Sequence, residues 1–237
     1  MNILDEKITA NLMGPNCLRM MEETLQYVDI KKDIKILDLG CGKALTSIYL
    51  AKQYEVKVFA NDLWIPPTDN MKRIEEYKVE DKVFPIKAEA RNLPYADEFF
   101  DMIVSYGAYH YFGTDENYLN TYLLPLLKPN GYFVMSGPGL VKEFEEGIPD
   151  SLKPYWNEKE NTTFHSLEYW KKLWEKNQSL VIEKAWNLEC CESAWNDWLN
   201  SKNIMARKDC KFWNADTDKQ LAIIGLIARK TVEKKEV

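Results

Sequence analysis

The sequence has no long hydrophobic run. The longest apolar stretch covers residues 221–228, whereas a helix that crosses a bilayer needs about 20 apolar residues. Residues 1–6 also lack the basic and apolar regions of a signal peptide. We therefore expect neither a membrane partner nor secretion.

Excess positive charge and patterned cysteines are absent as well. The net charge is −6 and the isoelectric point is near 5.2, whereas a protein that binds phosphate backbones usually carries clustered Lys and Arg. The five cysteines are odd in number and have no zinc-ligand spacing. These features predict no nucleic-acid partner, no metal site and a reducing, cytoplasmic location.

Apolar residues are present with the spacing of helices and strands. An amphipathic helix is predicted over residues 15–29, and a first strand follows at 34–39. The next four strands are predicted at 56–60, 83–86, 99–105 and 132–136, with helices near 43–53, 66–77 and 115–127 between them. The remaining elements are a helix at 166–177, a strand at 180–186, a helix at 192–200 and a strand at 221–229.

This alternation predicts a doubly wound, mostly parallel, seven-stranded α/β sheet with helices on both faces. The length of 237 residues suits a single domain over residues 1–237. We expect residues 1–30 to form a helical cap. The regular pattern is lost after Gly137, so residues 138–165 are expected to be a lid-like insertion after strand five.

The motif that carries chemistry is a glycine-rich turn. Strand 34–39 leads into Gly40-Cys41-Gly42, and Asp62 ends the following strand. At the carboxyl edge of a parallel sheet, such a turn lets the backbone approach a cofactor closely, and an acid at the end of the second strand suits ribose hydroxyls. The third glycine of a dinucleotide fingerprint is replaced by Leu45, and Asp38 stands two residues before Gly40; both favour S-adenosylmethionine (SAM) over NAD.

A set of motifs in order along residues 34–136 resembles the class I SAM-dependent methyltransferases, which have a Rossmann-like fold. The resemblance rests on the glycine turn, on Asp62, on the loop 88–95, on strand 99–105 and on the turn 127–132. It implies the following cofactor contacts: Asp38, Gly40, Cys41 and Gly42 at the methionine end, Asp62 at the ribose, Leu63, Glu89 and the Ala90 amide at the adenine, and Ser105 beneath the sulfonium.

Two further features bear on this resemblance. Ala44 stands where the family usually has its third glycine, and Glu89 replaces the commoner Asp of the adenine loop. Residues 11–15 resemble a segment that closes over the cofactor in some small-molecule methyltransferases.

The loop after strand four, residues 106–113, is the expected place for a methyl acceptor. It holds His110, one of only two histidines, next to Tyr109. We predict that His110 acts as a general base or positions the acceptor, with Tyr109 beside it and His165 as the second candidate. The alternatives are a structural His110 that is hydrogen-bonded within its loop and a His165 that merely flanks a helix cap.

The sequence thus predicts direct, in-line transfer of a methyl group from SAM to a small-molecule acceptor. Two alternatives remain: a nicotinamide-dependent oxidoreductase, and a SAM- or nucleotide-binding protein without catalysis. The oligomeric state is open, and a homodimer is one option.

Overall fold

The computed structural model describes residues 2–156 and 163–232. Within them, seven strands form one sheet in the order β3-β2-β1-β4-β5-β7-β6. The first five strands pair in parallel, whereas β7 is antiparallel to both of its neighbours. The predicted fold class is confirmed. The strands are β1 (Lys35–Leu39), β2 (Lys57–Asp62), β3 (Val83–Lys87), β4 (Phe100–Tyr106), β5 (Leu127–Leu140), β6 (Leu180–Asn187) and β7 (Leu221–Lys230).

The α-helices of the described residues lie before, between and after these strands. Asn16 caps α2, because its side-chain oxygen accepts a hydrogen bond from the Leu18 amide. Ser166 caps α5 in the same way through the Tyr169 amide. The helices are α1 (Glu6–Thr9), α2 (Cys17–Leu25), α3 (Leu45–Tyr54), α4 (Pro67–Glu76), α5 (Leu167–Glu175), α6 (Cys191–Leu199) and α7 (Ala206–Ala215).

Alternate side chains of the strands build two cores, one on each face of the sheet. In β1, Ile36 packs with α2, α3 and α6 on one face. Leu37 and Leu39 pack on the other face, with the segment before β5 and with α5. Helices therefore cover both faces, and the carboxyl ends of β1, β2 and β4 meet at one edge of the sheet.

The predicted helix over residues 115–127 is wrong. The chain forms a π-helical turn at Leu119–Leu123 and a 3₁₀ turn at Leu124–Leu126. Pro125 lies within the 3₁₀ turn and has no N–H to donate, which prevents a continuous α-helix.

The fifth strand is longer than predicted, and the insertion is correspondingly shorter. β5 remains paired with β7 up to Leu140, so the insertion starts at residue 141 rather than 138. Its described part is anchored by Trp156, which packs with Leu140 and Leu221 in a third apolar cluster. Residues 157–162 of the predicted lid lie outside the described residues.

Helix α7 was not predicted from the sequence. Only Ala206 of this helix is buried, and its other side chains are partly or fully exposed. The pair Phe212-Trp213 was the usable signal: Trp213 stacks on Trp195 of α6, with ring centroids 4.9 Å apart.

Candidate functional site

The glycine-rich turn after β1 has the left-handed backbone that glycine favours. Gly40 has φ +73° and Gly42 has φ +52°. A Cβ atom on Gly40 would lie 2.3 Å from the Cβ of Ala108, so this position also needs glycine for space. The Gly40 and Cys41 amides donate to the Asn61 carbonyl at 2.8 and 3.0 Å, which ties the turn to the end of β2.

Ala44, in place of the family's third glycine, also has a left-handed backbone, with φ +59°. Its methyl group is fully buried in the core beside α3. The substitution is therefore accommodated by an alanine in an unfavourable conformation.

Asp62 holds the turn in place through both carboxylate oxygens. Its Oδ2 accepts a hydrogen bond from the Gly42 amide at 2.8 Å. Its Oδ1 accepts from the Trp64 and Ile65 amides at 2.7 and 2.8 Å. Each oxygen has two lone pairs, and the residue lines the site, so acceptor capacity remains for a ligand hydroxyl.

The turn opens into a cavity of about 600 Å³. The segment 11–15 before α2 lines it opposite the turn, and the Met13 sulfur would lie 3.0 Å from a Cβ on Gly42. Most of the predicted cofactor residues meet here, namely Gly40, Cys41, Gly42, Asp62, Leu63, Glu89 and Ala90.

Asp38 and Ser105 do not line this cavity, although both were predicted to contact the cofactor. Ser105 is fully buried and donates to the Leu39 carbonyl at 2.8 Å, so it joins β4 to the end of β1. Asp38 is also fully buried, and its Oδ2 accepts from the hydroxyls of Thr46 and Ser47. Both side chains support the turn from beneath.

Burial raises the pKa of Asp38 to about 6, and the two hydroxyl hydrogen bonds oppose that shift. The second carboxylate oxygen, Oδ1, is buried and has no hydrogen-bond partner among the described residues. A buried oxygen without a partner normally has a hydrogen-bond donor nearby. Asp38 Oδ1 therefore fits a cofactor whose donor groups reach the turn above it.

His110, in the predicted acceptor loop, also lines the cavity. Its side chain is buried, and this burial lowers its pKa to about 3, so the imidazole is neutral. Neither ring nitrogen has a hydrogen-bond partner among the described residues. The ring contacts Phe164 edge-on, with the centroids 5.5 Å apart. The expected alternative, a histidine hydrogen-bonded within its loop, is therefore not what the described residues show.

Tyr109 and His165 lie outside the cavity lining. Tyr109 is buried on the opposite face of the loop, where its ring packs against Phe133 and Trp174. The Nδ1 atom of His165 is 3.2 Å from a Glu143 oxygen, and its ring stacks on Tyr169. The structure thus places neither side chain in the cavity with that of His110. Both side chains pack against other residues instead.

The cavity also has lining residues from α7, which the sequence did not indicate: Lys208, Asp209 and Phe212. Trp195 and Trp198 of α6 lie beside them. The indole Nε1 of Trp198 donates to Asp209 Oδ2 at 2.8 Å. Lys208, Asp209 and Phe212 lie within about one turn of each other on α7. Because the helix was not predicted, the sequence did not indicate that these side chains lie together.

A family model described as a methyltransferase domain matches residues 37–135. The match includes the glycine turn, Asp62 and the loop with His110, in agreement with the resemblance inferred from the sequence.

Individual proteins agree with this class. The chain is 31% identical over 109 residues to norajmaline N-methyltransferase from Rauvolfia serpentina. The matching region covers 43% of this chain and 37% of that protein. The matching region thus spans little more than a third of that relative.

Solved structures share the fold at low sequence identity. A putative sarcosine dimethylglycine methyltransferase from Galdieria sulphuraria has a TM-score of 0.69 and 16% identity, over 91% of this chain and 85% of that one. Phosphoethanolamine N-methyltransferase 2 from Haemonchus contortus has a TM-score of 0.74 and 14% identity, over 98% of this chain and 59% of that one. At these identities the likeness supports the fold alone.

Proposed function

We propose that this protein transfers a methyl group from SAM to a small-molecule acceptor. The observation that carries the proposal is one cavity lined both by the glycine turn with Asp62 and by buried His110 with aromatic rings. Such a cavity holds a cofactor and an acceptor together and keeps water away from both.

The residues present fit SAM. The left-handed Gly40 and Gly42 leave room for close backbone approach, and Asp62 retains acceptor capacity for ribose hydroxyls. Leu63 and Ala90 offer apolar surface for an adenine ring. When bound, SAM supplies an electrophilic methyl group.

The chain's own contribution at the acceptor end is orientation. A neutral His110 can accept a hydrogen bond from an acceptor or take its proton. Both ring nitrogens are covered by neighbouring side chains, so contact with an acceptor requires a rotation of His110 or of a ring beside it. Tyr109 and His165 are not part of this proposal because they lie outside the cavity.

We also propose that the protein acts in a reducing compartment such as the cytoplasm and has no nucleic-acid partner. All five cysteines are free thiols. None of the helices described is long and apolar enough to cross a membrane. The single-domain organisation and a homodimer remain predictions. Light scattering measures the oligomeric state.

The direct experiment is incubation of the protein with isotopically labelled SAM and a cell extract, followed by mass spectrometry. We expect a labelled small molecule and the demethylated cofactor in equal amounts. SAM binding without any labelled product would favour a non-catalytic binder, and binding of NAD in place of SAM would favour the oxidoreductase.

Replacement of Asp62 tests the cofactor end. Asp62→Asn keeps one carbonyl oxygen but cannot accept from three backbone amides through two oxygens, so the turn loses at least one hydrogen bond. We expect SAM affinity to fall by about tenfold or more, which corresponds to about 1.4 kcal/mol. Asp69→Asn, on an exposed part of α4, is the control and should bind SAM like the parent. Equal affinities for both variants would contradict the assignment.

A further inference from the structure

The acceptor end of the cavity has an acidic group that the proposed function does not use. α7 places Asp209 and Phe212 in the cavity lining at helical spacing. Asp209 is the carboxylate of this set. Asp62 and Glu89, the other two acids of the lining, belong to the segments that the proposed function assigns to the cofactor.

The Asp209 carboxylate is held in one orientation. Trp198 of α6 donates its indole N–H to Oδ2 at 2.8 Å. The other oxygen, Oδ1, makes no hydrogen bond within the described residues and can accept from a second donor. Partial burial raises the pKa of Asp209, while Lys208 opposes that shift.

Aromatic rings surround the same space. Phe212 lies one turn after Asp209, with its ring centroid 6.4 Å from those of Phe164 and Trp195. Phe164 continues the wall to His110. Aromatic faces attract cations, and together with a carboxylate they recognise ammonium groups.

Lys208 also lines the cavity and carries the opposite charge. It is exposed, whereas Asp209 is half-buried, so its ammonium is solvated and its influence is screened by water. The histidine at this end is neutral. The desolvated charge that faces the aromatic wall is therefore negative.

We propose, on the basis of the methyltransferase function above, that the acceptor is an amine on an apolar, ring-bearing frame and that Asp209 binds its ammonium group. The rings of Phe164, Trp195 and Phe212 hold the apolar frame. An acceptor with a carboxylate or phosphate in this position would be repelled.

The amine nitrogen has a free lone pair only after it loses a proton. That proton moves from the ammonium nitrogen to Asp209 Oδ1 and leaves a neutral amine and a neutral carboxylic acid. No other reactant is needed for this step.

The test compares amines with alcohols of the same shape. Calorimetry on the full chain, saturated with S-adenosylhomocysteine, measures binding of tryptamine and 2-phenylethylamine and of their alcohol counterparts, tryptophol and 2-phenylethanol. We expect the amines to bind at least about tenfold more tightly than the alcohols. Asp209→Asn should remove that difference, because the amide still accepts from Trp198 but carries no charge.

Lys211→Gln, at an exposed residue of α7 outside the cavity lining, is the matched control and should not weaken amine binding. Thermal unfolding of Asp209→Asn, compared with the parent, checks that the fold persists. With labelled SAM, the variant should both raise KM and lower kcat for any methylated amine, because it removes the charge that binds the ammonium group and the base that takes its proton.

Two results would overturn the inference and leave the methyltransferase proposal intact. One is SAM binding with amines no tighter than alcohols. The other is an unchanged amine affinity in Asp209→Asn. Failure of SAM itself to bind would instead overturn the proposed function.

Discussion

Gly40 is the residue on which the turn depends most. Gly40→Ala combines a left-handed backbone with a clash against Ala108, and we expect a loss of about 3 kcal/mol in the free energy of unfolding. Gly107 has nearly the same φ, +74°, but an added Cβ would meet nothing within 4 Å. Gly107→Ala should therefore cost only about 1 kcal/mol. Urea unfolding measures both; equal losses would show that Ala108 does not constrain Gly40.

His110 gives the protein a pH dependence with a definite sign. Because the folded pKa of about 3 lies below the ordinary value of 6.5, the unfolded chain binds the proton more readily, and stability is lost as the pH falls through that window. From about pH 7 to about pH 4.5, the parent should lose about 2–3 kcal/mol more than His110→Gln.

The titration of Asp38 changes the stability in the opposite direction. Its raised folded pKa makes the folded state the better proton binder, so stability falls as the pH rises from its ordinary value of 3.8 to about 6. This contribution is common to the parent and to His110→Gln and cancels in their difference. Denaturant unfolding at several pH values provides the comparison, and parallel pH profiles would contradict a buried, neutral His110.

Single-residue reasoning predicted the cofactor end better than the acceptor end. Gly40 and Gly42 lie in a turn between a strand and a helix, and Asp62 ends the next strand. The order of these elements along the sequence therefore fixes their positions in the fold. The burial of Tyr109 and the partners of His165 depend on residues far away in sequence, Trp174 and Glu143. Such contacts have no local signal.

At the scale of elements, the insertion after β5 is held to the body by aromatic packing. Trp156 is 8% exposed and contacts the rings of Phe144, Phe164 and Phe212. Trp156→Ala should cost about 3 kcal/mol, near the lower end for a buried Trp. Tyr155→Ala, at a residue 41% exposed, is the control and should change stability by less than about 0.5 kcal/mol. Thermal unfolding measures both, and equal effects would contradict this account of the insertion.

Most strands and five of the helices, α2 to α6, were predictable because their apolar residues have helical or strand spacing in the sequence. β1, β2 and β4 end where predicted to within two residues. The errors fall where tertiary pairing decides: β5 extends to Leu140 because β7 pairs with it, and α7 is stable because α6 covers its Phe212-Trp213 end.

At the scale of the whole molecule, the sheet and the later helices line one cavity with two chemically different groups of residues. The glycine turn after β1 and Asp62 after β2 offer backbone and carboxylate groups, whereas α6, α7 and Phe164 contribute aromatic rings. The first group lies in the part of the chain that matches the methyltransferase family model. We expect this group to hold the cofactor, and His110 together with residues of α6 and α7 to decide the acceptor.

The most direct test of this account is calorimetric titration of the full chain with SAM, S-adenosylhomocysteine and NAD. We predict saturable, one-to-one binding of the first two, weakened by Asp62→Asn, and no binding of NAD. Absence of binding heat with SAM at about millimolar concentration, or tighter binding of NAD than of SAM, would contradict it.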